Sequence, residues 1–85
     1  MELIQDKMQD FMTYFHKETH YTIVNWTYNA RAMCVNMEIW DEFHKVGIIA
    51  KCCVENLRRE KYEMITKYLV AYMQREEINV YGGIR

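Results

Sequence analysis

The chain has 85 residues, is 51% hydrophobic and 14% aromatic, and carries a formal net charge of −1. A length of this order supports one domain, residues 1–85, and a near-neutral balance gives no general reason to bind nucleic acid or an anionic membrane. No apolar run approaches the roughly 20 residues that a membrane-spanning helix needs.

A domain this small buries only about 60% of its unfolded surface, so its core is thin. Abundant aromatic rings offset part of that deficit, and self-association is the other common remedy. Glu2, Asp6, Lys7 and Asp10 interrupt the N-terminal stretch, which is unlike a secretory signal. Cys34, Cys52 and Cys53 are odd in number and include an adjacent pair, so reduced thiols in a cytoplasmic protein are expected.

The first element predicted is an amphipathic helix over about 2–18. Ile4, Met8, Phe11 and Phe15 recur every three or four positions, and Leu3 and Met12 widen the stripe. Glu2 and Asp6 near its start and Lys17 near its end suit the helix dipole.

The period then changes. Thr22-Ile23-Val24-Asn25-Trp26-Thr27-Tyr28 is dense in β-branched and aromatic residues, and Met33, Val35, Met37 and Ile39 alternate with smaller or polar ones. This predicts a β-hairpin of strands 21–28 and 32–40 across Asn29-Ala30-Arg31. Val24, Trp26 and Tyr28 would share a face with Met33, Val35, Met37 and Ile39. Trp40 would take the opposite face. Read as helix instead, the stretch would be apolar around most of its girth; that reading gives a three-helix bundle as the alternative fold.

From Asp41, a plausible N-cap, helical spacing returns through Val46, Ile49, Cys53, Leu57, Met64, Tyr68 and Ala71, which predicts a long helix over 42–76. A competing reading makes Lys45 to Ala50 a third strand and starts the helix near Lys51. Ile78 to Tyr81 reads as a short edge strand ended by Gly82-Gly83. The expected fold is therefore α+β: helix, antiparallel hairpin, long helix and short terminal strand.

Candidate sites follow from the same pattern. Lys51, Arg58, Arg59, Lys61 and Lys67 form the main basic cluster, suited to phosphate, but Glu55, Glu60 and Glu63 are interspersed as helix-spaced partners. The order helix, antiparallel strands, helix resembles the double-stranded-RNA-binding domain, whose second helix opens with a lysine-rich phosphate-contacting motif. Arg58-Arg59-Glu60-Lys61 is a loose counterpart of that motif. It falls inside the predicted helix with no glycine-rich loop before it, so no residue role is carried across.

His16 and His20, or Cys52-Cys53 with His44, lack the fixed spacing of a metal site, so neither a metal nor a cofactor is expected. Cys34 and Cys53 occupy apolar-stripe or strand positions, and no nucleophile elbow or phosphate loop is present. The expectation is a non-catalytic interaction module, a regulator or inhibitor acting by occlusion. It would bind a partner protein through Trp40, Tyr62, Tyr68 and Tyr72, and a homo-oligomer is expected, with a dimer favoured. Nucleic-acid or nucleotide-phosphate binding is the alternative.

Overall fold

The computed structural model describes residues 3–81 and shows an α+β fold. Helix α1 (Ile4–Glu18) is followed by β1 (Tyr21–Asn29), β2 (Cys34–Asp41), β3 (Val46–Cys53) and helix α2 (Tyr62–Tyr81). Two single 3-10 turns, Val54–Asn56 and Arg59–Lys61, lead from β3 into α2. The sheet is antiparallel in the order β1-β2-β3. The three-helix bundle is thereby excluded.

Local chemistry sets the first junction. Thr19 closes α1: its backbone N–H and its hydroxyl both donate to the Phe15 carbonyl, at 3.0 and 2.8 Å. The same hydroxyl oxygen accepts the Tyr21 N–H at 3.0 Å, so one side chain ends the helix and launches β1.

Both helices cover one face of the sheet. Val35, Met37 and Ile39 of β2 lie opposite Cys52, Ala50 and Ile48 of β3, and all six are buried. Met8, Phe11 and Phe15 of α1 close over them, with Ile65, Leu69 and Met73 of α2 alongside. On β1, Val24 is an unpaired residue between Ile23, opposite Ile39, and Asn25, opposite Glu38. This bulge lets Ile23 and Trp26, three positions apart, face the same way. Trp26 and Tyr28 therefore join the Val35 side as the alternation predicts, whereas Val24 is displaced and exposed.

Three expectations are corrected. The long helix over 42–76 does not form; β3 occupies its first part, as the competing reading held, and α2 begins at Tyr62 rather than near Lys51. The spacing of Val46, Ile49 and Cys53 fits a helix only by coincidence. The residues that bury are Ile48, Ala50 and Cys52, at the period of two that a one-sided strand imposes. Met33 lies outside β2, in a left-handed conformation with φ 53°. Finally, Ile78 to Tyr81 are the last turn of α2, because the helix already packed through Leu69 and Met73 overrides their local strand preference. Gly82-Gly83 lie outside the described residues.

If this core holds the fold, Leu69→Ala is expected to lower the unfolding free energy by about 2–5 kcal/mol. Ile78→Ala, at an exposed position of α2, should change it by no more than about 0.5 kcal/mol. Urea titration of both variants measures the contrast.

Candidate functional site

Three features outside the packed core have chemical character. The most distinctive lies at the end of the sheet where β1 begins, β2 ends and the C-terminal half of α2 passes. Asp41, foreseen as a helix cap, instead ends β2 and organises the turn to β3. Its Oδ1 accepts the Phe43 and His44 N–H groups at 2.9 and 3.1 Å, and its carbonyl accepts the Lys45 N–H at 2.8 Å. Lys45 completes the turn with φ 58°.

The Asp41 carboxylate has 0% exposure, which would be costly without compensation. His44 Nδ1 donates to Oδ2 at 2.8 Å and lies 3.9 Å from Glu77 Oε2. His20 Nε2 sits 3.9 Å from Asp41 Oδ1, and its ring rests against Tyr21 and the exposed Phe43. Glu77 occupies the next place on the buried stripe of α2 after Leu69 and Met73 and is only 6% exposed.

These groups perturb one another. Burial by itself would raise the Asp41 carboxyl, but hydrogen bonds from Glu77, His44 and the Phe43 amide outweigh it and hold it well below the usual range. Glu77 is pushed up to about 7, first by burial, then by its hydrogen bond to Asp41 and by the Asp41 charge. The hydrogen bond to Asp41 is also the main cause that raises His44. Burial, followed by the charges of Glu77 and Asp41, pushes the Tyr21 phenol up to about 12. Close carboxyl groups in a buried setting resist ionising together, which is why Glu77 is raised while Asp41 is lowered.

The second feature is an apolar groove of about 340 Å³ between β3 and α2, lined by Lys51, Cys52, Cys53, Asn56, Met64, Ile65 and Tyr68. Among the described residues no strand pairs with the outer edge of β3. The Val54 N–H donates to the Met33 carbonyl, which fixes the hydrogen-bonding phase of the ladder and turns the Ile49 and Lys51 backbone groups outward. The Tyr72 hydroxyl donates to the Ile49 carbonyl at 3.0 Å and closes that part of the edge. Lys51 remains beside the groove. Burial, then the neighbouring Cys53 and Cys34 thiols, pushes Cys52 up to about 11, so it is a poor nucleophile.

The third feature is the basic cluster. Arg58, Arg59 and Lys61 lie in the segment leading into α2, not inside a helix as the sequence suggested, while Lys67 follows on α2 and Lys51 on β3. Arg58 lies 3.7 Å from Glu60, Arg59 3.9 Å from Asp10 and Lys67 3.3 Å from Glu63; Lys61 donates to Asn56 Oδ1 at 3.1 Å. Such surface pairs are worth about 0–1 kcal/mol and leave the cations available.

The aromatic residues expected to bind a partner separate. Trp40 is half-buried on the sheet face away from the helices, packed against Gly47. Tyr68 and Tyr72 stack at 6.4 Å on the side of α2 that borders the β3 edge, with the Arg75 guanidinium 5.7 Å from the Tyr72 ring. Tyr62 belongs to the core, with its ring 5.3 Å from both Phe11 and Tyr14, and is not a surface anchor of the free chain. His16 Nδ1 is hydrogen-bonded with the Thr22 hydroxyl at 3.1 Å, whereas His20 lies beside Asp41, Tyr21 and Phe43.

Sequence reasoning missed Asp41 and Glu77 as site residues, although Glu77 left a readable trace as a carboxylate on an apolar stripe. No protein family, curated protein or solved structure matches this chain. No helix among the described residues is long and apolar enough to cross a membrane.

The carboxyl pair generates a pH dependence. The raised Glu77 contributes stability that is complete below its ordinary value of 4.5 and is lost as pH rises through about 7; raised His44 acts in the same sense above 6.5. The lowered Asp41 contributes above its ordinary value of 3.8 and is lost in acid. In metal-free buffer the melting temperature should therefore peak near about pH 5 and fall toward about pH 8. Glu77→Gln, whose amide donates to Asp41 at every pH, should flatten that decline in thermal unfolding.

Proposed function

We propose that this chain is a small, non-catalytic cytoplasmic interaction module that holds an extended segment of a partner protein between β3 and α2. The observation that supports this reading is the coincidence of an outward-facing strand edge with the apolar groove beside it. An added strand gains main-chain hydrogen bonds along Lys51, and one of its apolar side chains enters the cavity against Met64 and Tyr68. Lys51 at the rim favours an acidic residue next to that apolar one. The module acts by occlusion, since a strand held here is withheld from its own fold or target. A second copy of the chain offers the same edge, and antiparallel pairing of two β3 edges gives the homodimer. Trp40, on the open sheet face, would lie outside this contact, whereas Tyr68 and Tyr72 flank it.

A photoreactive phenylalanine analogue placed at Tyr68 should crosslink to the bound protein or to a second copy, and Met64→Asp should remove the crosslink. Light scattering should show any self-association persisting between about 0.1 and 1 M salt, because the contact is apolar rather than ionic. Crosslinks from Trp40 alone would move docking to the open sheet face and refute the groove.

A nucleic-acid reading is favoured by one observation: Arg58, Arg59 and Lys61 stand ahead of the first turn of α2, the positive end of its dipole. In the resembled domain the phosphate-contacting motif also opens the second helix. Under that reading Lys51 and Lys67 extend the surface, affinity for duplex RNA falls steeply with salt, and Arg58→Ala with Arg59→Ala weakens binding across sequences. Filter binding distinguishes the two readings.

A further inference from the structure

We propose that Asp41, His44 and Glu77 form a binding site for one first-row divalent cation of the zinc class, with solvent in the remaining coordination position. The inference stands apart from the groove, which lies elsewhere along α2.

One ligand atom from each of Asp41, His44 and Glu77 lies within 4.8 Å of the others. A four-coordinate ion with bonds of about 2.0–2.2 Å holds its ligand atoms about 3.3–3.6 Å apart. Separations of 2.8 Å between His44 Nδ1 and Asp41 Oδ2, and 3.9 Å between His44 Nδ1 and Glu77 Oε2, bracket that spacing. Side-chain rotations that open the His44–Asp41 contact and draw Glu77 in would bring the three atoms around one centre. His20 Nε2 lies 3.9 Å from the other Asp41 oxygen, Oδ1, which the turn amides occupy, and so neighbours the site without belonging to the group of three.

A second, independent observation points to a ligand. Glu77 Oε1 is screened from solvent and accepts no hydrogen bond from a donor group, and the residue, only 6% exposed, is hydrogen-bonded to another carboxyl, that of Asp41. A buried carboxylate oxygen left without a donor is unusual, because its desolvation is not offset. A cation beside Glu77 Oε2 balances the whole carboxylate, and with Asp41 it gives a site whose two negative charges match a divalent ion.

The donor set selects the ion. One imidazole with two carboxylates suits zinc and cobalt, whereas magnesium and calcium require six or more oxygen ligands. Binding requires the imidazole of His44 to shift its proton from Nδ1 to Nε2, on a side chain partly open to solvent, so that the Nδ1 lone pair reaches the metal. Asp41 and Glu77 bind as carboxylates, any proton that either carries leaves to solvent, and no covalent bond other than these to hydrogen is broken. The ion would join the end of β2 and the β2–β3 turn to the C-terminal half of α2.

The test uses the full chain, stripped with a chelator and kept reduced, with zinc, cobalt and magnesium added separately. One equivalent of zinc should raise the melting temperature, and one of cobalt should give visible d–d bands without a thiolate charge-transfer band. His44→Gln and Glu77→Gln should each weaken cobalt binding by at least about tenfold, and His20→Ala by less. Circular dichroism establishes that each variant is folded; His44→Gln, altered at a partly exposed turn position, keeps the test decisive if Glu77→Gln unfolds. Cys34 and Cys53 face each other across β2 and β3 and are the competing soft ligands. A thiolate band that survives His44→Gln and disappears in Cys53→Ser would overturn the proposal, as would an unchanged melting temperature with zinc.

Discussion

The fold depends on one constraint: a three-stranded sheet with only enough chain to cover one side. Val35, Met37 and Ile39 in the central strand form the floor on which both helices rest. Ile23, Trp26 and Tyr28 of β1 and Ile48, Ala50 and Cys52 of β3 are matched to them through the register, and Tyr21 is matched to Asp41. Because side chains alternate with a period of two, burying this face turns Asn36, Glu38 and Trp40 to the other. That other face is mainly polar, with Trp40 packed against Gly47 rather than standing free.

The same constraint explains where chemistry remains. The helices lie along the outer strands, α1 over β1 and α2 over β3, so the places left unfilled are the margins. One margin is the groove at the outer edge of β3, where α2 stands off enough to leave an apolar hollow. The other is the end of the sheet, where hydrophobic filling stops and Asp41, His44 and Glu77 take over. A buried stripe on α2 that ends in a carboxylate makes that end polar yet dry. Without an ion, mutual hydrogen bonding holds its charges.

The two margins ask for different occupants. An apolar cleft beside unpaired backbone groups complements an extended polypeptide, and it tolerates variation in what enters. The polar end is compact, and its donors are fixed by a turn and a helix, so it suits a single small ligand. Structural and binding roles are combined at Asp41, which shapes the β2–β3 turn with one oxygen and meets His44 with the other. Neighbouring surfaces are weaker by comparison: the basic residues before α2 are all near acidic or amide partners.

What the sequence determined by itself was local. The 3.6-residue stripe of α1, the β-branched and aromatic run of β1 and the alternation of β2 each specify an element without reference to the rest, and that alternation places Trp40 on the face it occupies. Tertiary structure decided the remainder. Val46 to Cys53 fits both periods, and only a neighbouring β2 edge with a matching buried row makes it a strand. Ile78 to Tyr81 follows the helix packed before it against a strand preference of its own. Tyr62 looked like a surface ring until α1 placed Phe11 and Tyr14 against it. Asp41 and Glu77 come from opposite halves of the chain, and no spacing rule relates them. They meet because an antiparallel sheet returns the end of β2 to the same place as the end of α2's apolar stripe, and long-range contacts of that kind are set by packing, not by periodicity.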